Sequence, residues 1–143
     1  MFLEMIDAVN DEDFNVHRIF LFFLMLFPFF SNAQCLNNGD KVTLTGVLVI
    51  KTYQSPDDEP HPVSRWILQL DKPFECFIDV DTSFNYWNRD VTIMPSHSSE
   101  HVDLNVILNK RISASGKIAL AATAYNYTAV LLLTDKIAII SEK

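Results

Sequence analysis

Trp66-Ile67-Leu68-Gln69-Leu70-Asp71-Lys72-Pro73-Phe74-Glu75-Cys76 is the stretch on which the fold turns. Its first half has the aromatic and branched residues of a half-buried strand. Asp71-Lys72-Pro73 stops that strand, because proline has no N–H for a ladder and disfavours helix before itself. The second half restarts as another strand, Phe74 to Val80, and carries Cys76, whose one intrachain partner is Cys35. A small β-domain stapled by a disulfide is the expectation.

Outward from this hairpin the other elements follow the same logic. Lys41 to Tyr53 (KVTLTGVLVIKTY) is a long strand with Gly46 at its middle, where a glycine marks a bulge or sharp bend. Gln54 to Ser64 holds three prolines and an acidic run, the composition of an exposed loop. Asp81 to Asp90 is polar and aromatic with turn character, and Val91 to Met94 is a short strand candidate. In Ser98 to Asn109, Val102, Leu104, Val106 and Leu108 alternate like a strand but also satisfy i,i+4 spacing. Pro95, the serines and Glu100 in the first turn favour a helix there. Arg111 to Ala121 repeats the glycine-centred pattern around Gly116, and Tyr127 to Ile140 closes the set. The order β-β-β-α-β-β, with a glycine-bent strand opening each half, is the plan of a five-stranded OB-fold-like barrel with one helix between strands 3 and 4. An open β-sandwich is the alternative.

The amino-terminal third is different in kind. Ile19 to Phe30 is an unbroken apolar run of twelve residues, flanked by His17-Arg18 and Ser31-Asn32-Ala33. That is the layout of a secretory signal peptide cleaved after Ala33, and it is shorter than the roughly 20 residues of a membrane span. Met1 to Asn15 contains five acids and no Lys or Arg, opposite to a normal n-region, so it reads as an upstream extension with the true start at Val16. A long acidic n-region is the plainer reading. Residues 34–143 keep ten Lys/Arg and thirteen Asp/Glu, a net charge of −3, which lacks the basic footprint of a nucleic-acid binder. Two cysteines fit an oxidising, periplasmic or secreted location. Attachment of lipid at Cys35 is disfavoured by Gln34, where a small residue is wanted.

Cys35-Leu36, Val42 to Gly46 (VTLTG), Leu70 to Pro73 (LDKP) with a cysteine soon after, Leu108 to Arg111, Ile112 to Lys117 and Thr128 to Leu132 together resemble a bacterial exported family, domain of unknown function 4431. The resemblance spans nearly all of residues 34–143. It implies a periplasmic β-domain and a Cys35–Cys76 bridge, and no established activity. That family's pattern places histidines before the last strand, where this chain reads Ala124-Tyr125-Asn126-Tyr127, so no histidine-borne ligand role carries over.

Three constellations remain. His97-Ser98-Ser99-Glu100-His101 spells the H-x-x-E-H of inverted zinc peptidases, whose chemistry needs both histidines on one helical face, a glutamate base and a third ligand. Pro95 puts His97 ahead of a regular helix, and Glu142 is the one downstream glutamate, so a solvated helix start is the simpler reading. Asp79, Asp81, Ser83, Asn85 and Asp90 fall at calcium-loop offsets, but Phe84 occupies the glycine position and Asp90 that of the closing glutamate. An acidic turn fits better. Asn126-Tyr127-Thr128 is a glycosylation sequon, of little meaning if the source is bacterial, as the resemblance implies. Tyr86, Trp87, Tyr125 and Tyr127 are aromatics outside apolar runs, candidates for a binding surface at a barrel mouth, and Trp66 on its strand joins the same aromatic set.

The expectation is a monomeric, non-enzymatic binding or accessory module of the envelope. It needs no cofactor, and it engages a protein or an extended polymer and not nucleic acid. The rival readings are a small metal-dependent hydrolase using His97, Glu100 and His101, and an inhibitor or immunity-type protein.

Overall fold

The structure, a computed structural model, describes residues 34–96 and 102–141. The residues expected to form the signal peptide, the acidic extension at 1–15, and His97, Glu100, His101 and Glu142 lie outside the described residues.

Among the described residues there are five strands: β1 (Lys41–Gln54), β2 (Pro62–Leu70), β3 (Asp90–Pro95), β4 (Arg111–Leu120) and β5 (Val130–Ile139). Each pairs with two others in the order β1-β2-β3-β5-β4, and β4 returns to β1, so the sheet closes on itself as a barrel. All the pairings are antiparallel except β3 with β5. Closure removes the free edges that would template aggregation. Leu48, Leu68, Val91, Ile112, Ile118, Val130 and Leu132, all essentially inaccessible, fill the interior.

β1 serves both halves of the barrel. Lys41 to Val47 pair with β4 and Gly46 to Gln54 pair with β2, so Gly46 faces both Ile112 and Leu70 at the handover. Here β1 and β2 approach so closely that a Cβ on Gly46 would sit 2.1 Å from the Gln69 carbonyl oxygen. Gly116 repeats the device on β4: a Cβ there would lie 2.0 Å from the Leu133 carbonyl oxygen, at the register shift that skips Asp135 on β5. Both glycines answer to backbone contact across strands.

Two expected elements are corrected. Phe74 to Val80 is not the third strand; that role belongs to Asp90–Pro95, the extension of the short Val91–Met94 candidate. Phe74 and Phe77 are both buried and meet edge to face with centroids 5.7 Å apart, so the segment buries every third residue and not alternate ones. Asp79 at φ 60° then turns it out of extended geometry. What holds it is the Cys35–Cys76 disulfide, with the Leu36 N–H donating to Cys76 O (3.1 Å) and the Ile78 N–H to Leu36 O (2.9 Å). Of the expected helix from Ser98 to Asn109, residues 98–101 lie outside the described residues; no helix occurs among the described ones, and 104–109 is a run of turns. Asp103 Oδ1 accepts from the Asn105 N–H (2.9 Å), and Asn109 adopts φ 61°. Such side-chain bonds compete with helical ones. Leu104 and Ile107, not the i,i+4 pairs, are the residues buried in the core.

Candidate functional site

Residues paired directly across strands share a face, and side chains alternate along each strand. Leu48, Leu68 and Val91 point into the core, so the rows Val47–Gln69–Asp90, Val49–Ile67–Thr92 and Lys51–Arg65 belong to the opposite face of β1, β2 and β3, on which Ile67, Asp90 and Thr92 are themselves buried. Tyr53, opposite Val63, extends the same face. Two loops reach over it. The β4–β5 loop lays Tyr127 flat on Tyr53, with ring centroids 4.8 Å apart and planes inclined 15°, and brings it within 5.4 Å of the Arg65 guanidinium. The β2–β3 connection sets Tyr86 so that Lys51 Nζ lies 5.1 Å from its ring centre.

Burial raises the Tyr53 phenol above its ordinary pKa, and the Asp90 charge adds to that. The Tyr127 hydroxyl is buried with no hydrogen-bond partner among the described residues, an atom that would gain from a ligand's polar group. Tyr125 is half exposed, and its hydroxyl donates to Asp57 Oδ1 (2.6 Å), tying the β4–β5 loop to the β1–β2 loop. That bond raises the Tyr125 phenol and lowers the Asp57 carboxyl from their usual values. The β1–β2 loop is closed at its base by buried Ser55, whose backbone N–H donates to His61 O (2.9 Å) and whose Oγ pairs with His61 Nδ1 (2.9 Å).

Two clefts open along this face. β2 and β3 pair at only three positions, Ile67 to Gln69 with Asp90 to Thr92. Beyond them a cavity of about 510 Å³ lies among Arg65, Trp66, Met94, Tyr125 and Tyr127. A second cavity, of about 580 Å³, is lined by Val47, Lys51, Tyr86, Arg89, Asp90 and Arg111. Lys51 lines one and Arg65 lines the other, and the two are direct cross-strand partners. Like charges directly opposite each other are unfavourable. Here Lys51 is compensated by an ion pair to the buried Asp90 carboxylate, and Arg65 by the Tyr127 ring.

Of the expected surface residues, Tyr86, Tyr125 and Tyr127 therefore border this face, Tyr86 in one cleft and the other two in its neighbour. Trp87 does not join them; it is half-buried and packs on the hydrophobic core, as does Trp66. Asp79 is exposed at its left-handed turn, and Asp81 Oδ1 accepts from the Ser83 N–H (2.9 Å), which lowers its pKa. Among the described residues no three His, Cys, Asp or Glu are grouped to hold a metal ion, and no helix is long and apolar enough to cross a membrane. Lys51, Tyr53, Arg65 and Arg89 escape a motif search; the alternation of Lys51 with Tyr53 and of Arg65 with Ile67 is their one local signal. Compared with known proteins, the chain matches no protein-family model and no curated relative.

Proposed function

We propose that the chain is an exported binding module on the OB-fold plan, engaging an extended protein segment or polymer of the bacterial envelope across β1, β2 and β3. The observation that carries this reading is a pair of clefts on either side of the cross-strand pair Lys51–Arg65, with the Tyr53–Tyr127 stack beside Arg65. The strand order, with β3 parallel to β5, supports the Greek-key plan, in which strands 2–3 and the β1–β2 and β4–β5 loops take extended ligands. The Tyr125–Asp57 bond joins those same two loops. The Cys35–Cys76 disulfide is compatible with an oxidising compartment, and the apolar run before Ala33 and the family resemblance support export.

The role is binding, not catalysis. An Arg65→Ala, Tyr125→Ala double variant, shown to be folded by circular dichroism, should fail to recover the partners that wild type captures from envelope extract. Equal recovery would refute the assignment of this face. Mass spectrometry of the exported protein should find Gln34 at its amino terminus.

A further inference from the structure

We propose that the cleft walled by Tyr86, Arg89 and Arg111 is a site for a carboxylated sugar unit of the bound polymer. The proposal rests on the reading of the β1–β2–β3 face given above and names the chemistry at one end of it.

Charge accounting makes the case for an anion. The cleft is lined by three cations, Lys51, Arg89 and Arg111, and two carboxylates, Asp71 and Asp90. Each carboxylate is already matched. Asp90 takes Lys51, and Asp71 Oδ2 accepts from Arg111 Nε (2.9 Å) and Nη2 (2.7 Å). The Arg89 guanidinium has no side-chain partner among the described residues. One uncompensated positive charge thus sits in a concave site, on residues 34–143 whose net charge is −3. A planar fork of donors without an acceptor is suited to a carboxylate, which it grips through two parallel bonds. A single surplus charge matches a monoanion better than a phosphate dianion.

The sugar ring is argued from Tyr86. Its residue is 67% exposed in the cleft wall, and its backbone is held at φ 56°, a conformation that costs a bulky side chain energy. Arg89 and Asp90 both donate their N–H groups to Tyr86 O (2.9 Å each), which fixes that turn, and the side chains of Tyr86 and Arg89 line the same cleft, with Lys51 Nζ 5.1 Å from the Tyr86 ring centre. An exposed aromatic face beside a carboxylate fork is the arrangement on which the C–H face of a uronic acid stacks while its carboxylate is held. The neighbouring cleft, beyond the Lys51–Arg65 pair, would take the next units of the chain.

The test is calorimetric titration of the oxidised protein with trigalacturonate, its fully methyl-esterified form, inorganic phosphate, and acetyl-dialanine as a peptide carboxylate. Trigalacturonate should bind, with the ester roughly tenfold weaker or worse, because the same rings lack the charge for the fork. Arg89→Gln should lose a similar factor, and raised salt should weaken wild type but not Arg89→Gln. Tyr86→Gly, which suits the left-handed backbone, should stay folded and yet lose affinity. Equal binding of the ester, or of phosphate or acetyl-dialanine, would overturn the proposal. So would unchanged affinity in Arg89→Gln. Binding that survives Arg89→Gln but is lost in Arg65→Ala, Tyr125→Ala overturns this site and leaves the wider face standing. Absence of any trigalacturonate binding overturns the sugar-acid site, while capture from envelope extract reports on the face separately.

Discussion

Gly46→Ala is expected to be among the most destabilising single substitutions in this chain, and the reason is backbone contact, not conformational freedom. The added Cβ would lie 2.1 Å from Gln69 O, 2.7 Å from Gln69 C and 3.0 Å from Leu70 Cα. None of these atoms belongs to a flexible side chain. An ordinary carbon–oxygen contact needs about 3.3 Å, so β1 and β2 must part by about 1 Å. Overpacking of that kind costs about 1–3 kcal/mol. The bond beside it that joins the two strands, Asp71 N–H to Thr45 O (3.0 Å), would stretch, at about 1 kcal/mol. The sum is about 2–4 kcal/mol, a large share of a typical domain's stability. Urea unfolding followed by tryptophan fluorescence should show the midpoint falling by about 1–3 M for a domain of this size. Gly39→Ala is the control: its φ is +91° but nothing lies within 4 Å of the added carbon, so only backbone strain of about 1–2 kcal/mol applies. If Gly46→Ala lost less than Gly39→Ala, the close-approach argument would be wrong.

Reduction of Cys35–Cys76, which closes a span of 41 residues, should lower stability by up to about 4 kcal/mol in the chain-entropy account, read as a shift of the urea midpoint in dithiothreitol. Lys51→Ala should cost about 2–4 kcal/mol by leaving the buried Asp90 carboxylate without its cation, and adding Asp90→Asn should restore part of that loss. Asp71 has its pKa held below 3.8, chiefly by the hydrogen bond from Arg111. Its contribution is therefore complete above that value and disappears as the pH falls through the lowered pKa. Arg111→Ala should thus be less stable than wild type by about 1 kcal/mol or less at pH 6, both groups being partly exposed, and the gap should close towards pH 2 in urea titrations.

The strands that carry their own evidence were legible: β1, β2 and β5 are rich in branched apolar residues, and β4 repeats the glycine-centred pattern of β1. Both mid-strand glycines stood out, read as bulges or bends; a register shift occurs at Gly116, while the close backbone approach at both depends on the facing strand, and two cysteines left one pairing. Phe74 to Val80 misled because its composition suits a strand, whereas its geometry is decided by the disulfide and by burial at every third position. Leu104 and Ile107 likewise answer to the core beneath them, which no local period reveals. The site was half visible. Tyr86, Tyr125 and Tyr127 stood out as loop aromatics, but that Trp87 turns inward depends on tertiary packing. That Lys51 faces Arg65, and that Tyr127 lies on Tyr53, depends on register between distant segments.

The most direct test of the β1–β2–β3 face is site-specific photo-crosslinking in the envelope, with a benzoyl-phenylalanine at position 86, at position 125 or at Lys136. Lys136 is exposed on β5, which forms no part of that face. Crosslinks to one common ligand from positions 86 and 125, with none from 136, are the expected result. Crosslinks from 136 alone, or equally from all three positions, would contradict it.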